Sequence, residues 1–124
     1  MGYEVRVYVG RVQHSSNETS GRWFQLWAMF ELCKPGYDSE IYKLCSDPAI
    51  GNERVFFYAD DGNTEITVDR YGKRLKAIPF DIVLKALETD QGNDSYRRFK
   101  VAVDLLRSIK EHAGEQLSVV LYGH

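Results

Sequence analysis

Two hydrophobic periods run along the chain, and the switch between them divides it. From Tyr3 to Val12 the odd positions Tyr3, Val5, Val7 and Val9 are apolar, with Glu4 and Arg6 between them. That alternation predicts a half-buried strand. Gln13 to Gly21 is polar, has no periodicity and ends in glycine, so it reads as an exposed, mobile loop, too long for a tight hairpin turn. Arg22 to Cys33 alternates again but is apolar on both faces. Phe24, Leu26, Ala28, Phe30 and Leu32 form the even face, and Trp23, Trp27 and Met29 stand with Gln25 and Glu31 on the odd one. A strand wetted on one side carries polar residues there, so the second face calls for a cover, either helices of this chain or another chain.

Tyr37 to Leu44 admits two readings: a short helix capped by Asp38 with Ile41 and Leu44 inward, or an edge strand through Ile41 and Tyr42. Asp47-Pro48 and Gly51-Asn52 mark a loop. Arg54 to Ala59 is aromatic and β-branched, Asp60-Asp61-Gly62-Asn63 supplies hairpin-turn chemistry, and Thr64 to Asp69 returns with Ile66 and Val68 on one face. A second reversal at Arg70 to Lys73 leads into Arg74 to Ile78, which predicts a three-stranded meander. At Pro79 the period changes. Phe80, Val83, Leu84 and Leu87 follow helical spacing to about Thr89, with Pro79 suited to the first turn. After the loop from Gln91, Asp94 or Ser95 caps a helix running to His112, with Phe99, Ala102, Val103, Leu106 and Ile109 on one stripe and Gly114 as its stop. Leu117 to Tyr122 closes as a strand with Leu117, Val119 and Leu121 inward. The order predicts an α+β fold in one domain, residues 1–124. Its parts are a mainly antiparallel sheet of five to six strands, two consecutive C-terminal helices packed on one face, and a closing C-terminal strand.

Composition narrows the class. The chain has 124 residues, 44% hydrophobic and 27% charged, enough to bury about two-thirds of its unfolded surface. Intrinsic disorder and a disulfide-dense scaffold are excluded. The opening residues alternate apolar with charged where a signal peptide would be continuously apolar, and no stretch suffices to cross a bilayer. Arg6 stands where myristoylation needs Ser or Thr. The expected address is the cytoplasm, with no membrane partner, and Asn17-Glu18-Thr19 and Asn93-Asp94-Ser95 read as loop sequence rather than glycosylation acceptors. There Cys33 and Cys45 are expected as two buried thiols rather than a disulfide. Neither they nor His14, His112 and His124 have a metal-ligand spacing, so no metal or cofactor is predicted.

Candidate chemistry is sparse. Neither a G-x-G-x-x-G nor a P-loop is present, and His14-Ser15-Ser16 lies in the polar stretch with nothing to hold it in register. Asp60 with Asp61 suggests acid/base work, but Asp-Asp-Gly-Asn is also what a turn requires. Asp60, Asp61 and His112, on separate elements, are the only groups to nominate for an enzyme. Charge is uneven: residues 1–69 hold 6 basic and 11 acidic groups, a balance of −5, and residues 70–124 hold 10 and 7, a balance of +3. Arg70, Tyr71, Lys73, Arg74 and Lys76 surround one turn, and Arg97 and Arg98 open the long helix. That set suits a phosphate backbone with a stacked base, against the plain reading of a solvated turn guarding an edge strand. A sequence pI near 5.9 argues against a dedicated nucleic-acid binder.

The aromatic content, 8 Tyr, 6 Phe and 2 Trp, is the other signal. Trp23 and Trp27 share a face with Met29, and Tyr8 is placed to neighbour them across the sheet. The group reads either as core beneath helices or as an interface. The expected function is a non-enzymatic protein-interaction or regulatory module, a homodimer or the binder of a protein partner, with a nucleic-acid-associated regulator as the alternative. In whole-chain style, Tyr3-Glu4-Val5-Arg6-Val7-Tyr8 and Asp69-Arg70-Tyr71-Gly72-Lys73-Arg74 resemble the small accessory proteins of large tailed bacteriophages. The resemblance implies a binder or modulator of a host component made in the bacterial cytoplasm, and it transfers no functional residue.

Overall fold

The computed structural model describes residues 4–47, 50–51 and 53–124. Tyr3 of the predicted first strand, Pro48 and Asn52 of the predicted loop, and the side chain of Cys33 lie outside the described residues. Strands β1 (Glu4–Asn17) and β2 (Gly21–Cys33) form one long antiparallel hairpin. The polar stretch after Val12 is therefore mostly strand, and the expected mobile loop shrinks to a tight turn. Asn17 makes the turn: its Oδ1 accepts from the backbone N–H of Thr19 at 2.9 Å and of Ser20 at 3.3 Å, while Gly21 takes φ 95°, a conformation favouring glycine. Polar residues obscured this strand because its far end is wet on both faces.

A single extra residue decides how β2 packs. Tyr8 pairs with Met29 and Val9 with Ala28, but Gly10 pairs with Leu26, which leaves Trp27 unmatched as a β-bulge. Side chains before and after a bulge exchange faces. Ala28, Phe30 and Leu32 thus join Val5, Val7 and Val9 on one side, while Phe24 joins Tyr8 on the other. The predicted even face of this strand is split, and Leu26 is left exposed. Gly10 permits the arrangement, since a Cβ there would overlap the carbonyl oxygen of Gln25.

The remaining strands are β3 (Glu53–Tyr58), β4 (Glu65–Ile66), β5 (Lys76–Pro79) and β6 (Ser118–Gly123), in the order β2-β1-β6-β5-β3-β4. One further pairing, parallel, joins β2 to β3 through Arg22 with Val55 and Trp23 with Phe56. It closes five strands into a ring. The predicted meander is corrected: β4 and β5 both pair with β3, at its C-terminal and N-terminal ends, and the chain between them loops out through the Val68–Arg74 bridge. Buried Asp69 holds that excursion. Its Oδ1 accepts from the N–H groups of Tyr71 and Lys73, both at 2.9 Å, and its Oδ2 from the N–H of Gly123 at 3.3 Å.

Two cores result. The outer one packs helices α1 (Glu40–Ser46), α2 (Phe80–Gln91) and α3 (Lys100–Ala113) on the sheet, with Val83, Leu87, Val103 and Leu106 against Val5, Val7, Val9 and Val119. The inner one, Tyr8, Phe24, Val55, Phe57, Leu75, Ala77 and Val120, contains no helical residue. The second apolar face of the sheet is covered by neither helices nor a second chain, but by the sheet's own closure. The fold is α+β with a mainly antiparallel six-stranded sheet, two C-terminal helices and a closing strand. No helix among the described residues is long and apolar enough to cross a membrane.

Two helix starts differ from expectation. Ser39, not Asp38, caps α1, its Oγ accepting from the N–H of Tyr42 at 3.2 Å; Asp38 instead accepts from the hydroxyl of Tyr96. The predicted helix to His112 begins as a 3₁₀ turn over Asp94–Phe99, capped by Asn93, and breaks at Tyr96 (φ −123°). The break buries the Tyr96 ring, stacked on Phe99 at 5.3 Å. Gly114 ends α3 at φ 66°, as its position predicts.

Buried Asp90 of α2 docks α1: its Oδ1 and Oδ2 accept from the N–H groups of Glu40 at 2.7 Å and Ile41 at 3.0 Å. Burial pushes its carboxyl pKa up, outweighing the downward pull of those two donors. A raised folded-state value means that the folded chain holds the proton more tightly. The group's contribution is then full below the ordinary carboxylate range and falls as pH rises through the raised value. Asp90→Asn should destabilise the fold by about 1–3 kcal/mol. In urea unfolding at acid and neutral pH, its deficit against wild type should be smaller at neutral pH. Gly10→Ala should cost about 1–3 kcal/mol by overpacking, read in the same way at neutral pH.

Candidate functional site

Past Trp23, β2 and β3 diverge. Among the described residues β2 pairs with β3 only at Arg22 and Trp23, so the edge of β2 from Gln25 to Leu32 faces no strand, a length of about 26 Å. The gap between the diverging strands is an open groove of about 700 Å³. Tyr8 and Phe57, 4.7 Å apart between ring centroids, line it from the inner core. Leu26, Trp27 and Met29 line it from β2, and Tyr58 and Asp60 from β3 and the turn after it. Trp27 is 45% exposed and Met29 54%. Across the same edge, Val101 (75% exposed) and Leu105 of α3 flank Phe30 and Leu32 in a second, smaller depression of about 200 Å³. An unpaired strand edge with apolar side chains on both flanks is a template for association.

Of the four residues expected at an interface, the structure exposes Trp27 and Met29 in this groove and places Tyr8, 5% exposed, in the inner core. Trp23 is separated from them. By alternation from Phe24 it faces outward, and it lies 6.3 Å from Tyr58, which meets Phe56 edge-on at 5.4 Å. The expectation that Trp23 and Trp27 share a face fails because Trp27 is itself the bulged residue. Leu26, Tyr58, Val101 and Leu105 were missed. The helical residues were legible as apolar positions off the buried stripe of α3; the others needed the bulge and the closure.

Three of the basic residues are tied to acceptors of the chain itself. Arg74 donates to the backbone carbonyls of Thr19 (3.3 Å) and Ser20. Arg97 pairs with Asp94 at 2.9 Å, and Arg98 donates to the carbonyls of Ser95 and Lys34. Arg70 and Tyr71 are exposed, while Lys73 and Lys76 are half-buried. Asp61 works as a turn residue. Its carboxylate accepts from the N–H groups of Asn63 and Thr64 and from the Thr64 hydroxyl, which holds its pKa down to about 2. Asp60 is exposed beside it, and His112 lies in the last turn of α3 with Nδ1 2.8 Å from the carbonyl oxygen of Ser108. His14, Ser15 and Ser16 are exposed on β1.

One cluster was invisible in sequence because it draws on β1, β2 and the residue after β6. Glu4, Glu31 and His124 bring ligand-type atoms within 4.8 Å of one another. Reciprocal backbone hydrogen bonds of 3.1 and 2.9 Å join Glu4 to His124. The Arg6 guanidinium lies 3.0 Å from the Glu31 carboxylate and stacks 5.7 Å from the Tyr122 ring. With that cation already on Glu31, the arrangement is an ion-pair cluster at the end of the sheet. In comparisons with known proteins, no family model matches the chain, and no match emerges among the curated proteins or the solved structures.

The groove and the inner core can be separated by mutation. Phe24→Ala should cost about 3–5 kcal/mol. Trp27→Ala, at an exposed bulge, should cost only about 1 kcal/mol. Denaturant midpoints of the two variants would show the difference.

Proposed function

We propose that this protein is a non-enzymatic interaction module that self-associates along the free edge of β2. The observation that carries the reading is the conjunction of an unpaired strand edge from Gln25 to Leu32 with exposed apolar side chains on both of its flanks. Edge strands that stay solitary are usually blunted by lysine, proline or inward charge. This edge has neither lysine nor proline between Gln25 and Leu32, and its one charge, Glu31, is engaged by Arg6. Antiparallel pairing of two β2 edges would continue the sheet across a two-fold axis, the commonest symmetry of homo-oligomers. It would bury Trp27 and Met29 on one flank and Val101 and Leu105 on the other. Such a module fits the resemblance to phage accessory proteins, which implies a binder rather than a catalyst.

Light scattering across a dilution series tests the reading. Wild type should show a mass near twice 14.3 kDa, and Met29→Lys with Leu105→Glu should reduce it to one chain while leaving the unfolding curve nearly unchanged. A wild-type mass of one chain at every soluble concentration would overturn it.

A further inference from the structure

A further concavity lies on the helix-bearing side of the sheet, away from the β2 edge. It is a cavity of about 170 Å³ between the end of α1 and strands β5 and β6. Its walls are apolar: Leu44, Ile50, Ile78 and Leu121. Among the described residues the rest of its lining is Cys45, the cations Lys73, Arg74 and Lys76, and the carboxylate of Asp47. Apolar walls with convergent charged groups are the usual composition of a small-molecule site.

The electrostatics around Arg74 are unbalanced. Two of its guanidinium nitrogens donate to the carbonyls of Thr19 and Ser20, but Nε is buried with no hydrogen-bond partner. Burial pushes the Arg74 pKa down, and the neighbouring charge of Arg54, of the same sign, adds to the shift. Among the described residues no ion pair joins Arg74 or Lys73 to any carboxylate, Asp47 included. The Nε of Arg74 is too deeply buried to reach a ligand, but a half-buried cation beside a like charge is stabilised by an anion brought close to it.

We infer that this cavity binds a small aliphatic monocarboxylic acid, with its alkyl tail against Leu44, Ile50, Ile78 and Leu121 and its carboxylate at Arg74 and Lys73. Charge complementarity selects the head group: an N–H···carboxylate bond is charge-assisted on both sides, and a neutral or cationic head group forfeits it. Cavity size selects the tail. Apolar cavities of about 150 Å³ accept benzene, so the tail is limited to about six carbons.

Hexanoate, titrated into the full chain by calorimetry, is the probe, with hexan-1-ol, hexylamine and acetate as controls. Hexanoate should bind, hexan-1-ol should bind at least about tenfold more weakly, and hexylamine and acetate should show no heat of binding. Lys73→Gln should weaken hexanoate several-fold, and Leu121→Trp, which fills the cavity, should abolish binding. If Leu121→Trp does not fold, the Lys73→Gln comparison and the hexan-1-ol control decide. The inference is overturned by no hexanoate binding to folded wild type, by equal affinity for hexan-1-ol, or by binding of acetate or inorganic phosphate as tight as that of hexanoate, which would mark an anion site without a tail pocket. It is also overturned if folded Leu121→Trp binds like wild type.

Discussion

The bulge at Trp27 is the constraint on which the rest of the molecule depends. A strand with strict alternation presents one set of side chains to one side throughout its length. By inserting one residue opposite Val9 and Gly10, β2 serves the outer core with Ala28, Phe30 and Leu32, and the inner core with Phe24. Bulges also increase local twist. Added twist suits ring closure, because the start of β2 has to swing across to meet β3 at Arg22 and Trp23. Gly10 is the local condition for all of this, and no other residue fits the approach of Gln25.

Closure explains both what is covered and what is left open. The inner core needs no helix because β3, Leu75 and Ala77 roof it from within the same sheet. Closure is short, however. Two residues of β2 reach β3 and the rest diverge, so the floor of the groove is the inner core itself, at Tyr8 and Phe57. The candidate interface is thus a structural by-product of a ring that shuts at one end only. The apolar flank on α3 has a separate origin, since Val101 and Leu105 lie off the helix's buried stripe.

Much of the architecture was readable from periodicity. Val5, Val7 and Val9, the stripe of α3, the stop at Gly114 and the closing strand are all local patterns whose structural outcome depends on one element and one face. The excess of apolar residues on β2 was equally visible, and it does signal a second covered face. What covers that face was not legible, since the parallel contact between β2 and β3 is set by twist and by no local motif. Single-residue events were also hidden. The bulge changes no composition, and the turn at Asn17 sits in a run of polar residues that two-sided exposure makes resemble a loop. The Asp38–Tyr96 and Asp69–Gly123 contacts link residues far apart in sequence, so the helix break and the excursion at 68–74 could not be read locally.

The place of β1 between β2 and β6 imposes an order of assembly. Its pairing with β2 is a hairpin closed by a turn of a few residues, while its other edge is met by β6, with Val5 opposite Gly123. Loop-closure entropy makes the first contact cheap and fast and the second slow. As the chain leaves the ribosome, the valine face of β1 and one whole edge of the hairpin stay uncovered until the last strand emerges. In the native state the exposed edge belongs to β2, but in the nascent chain both edges are open, so the period of greatest exposure to wrong partners comes before the fold exists.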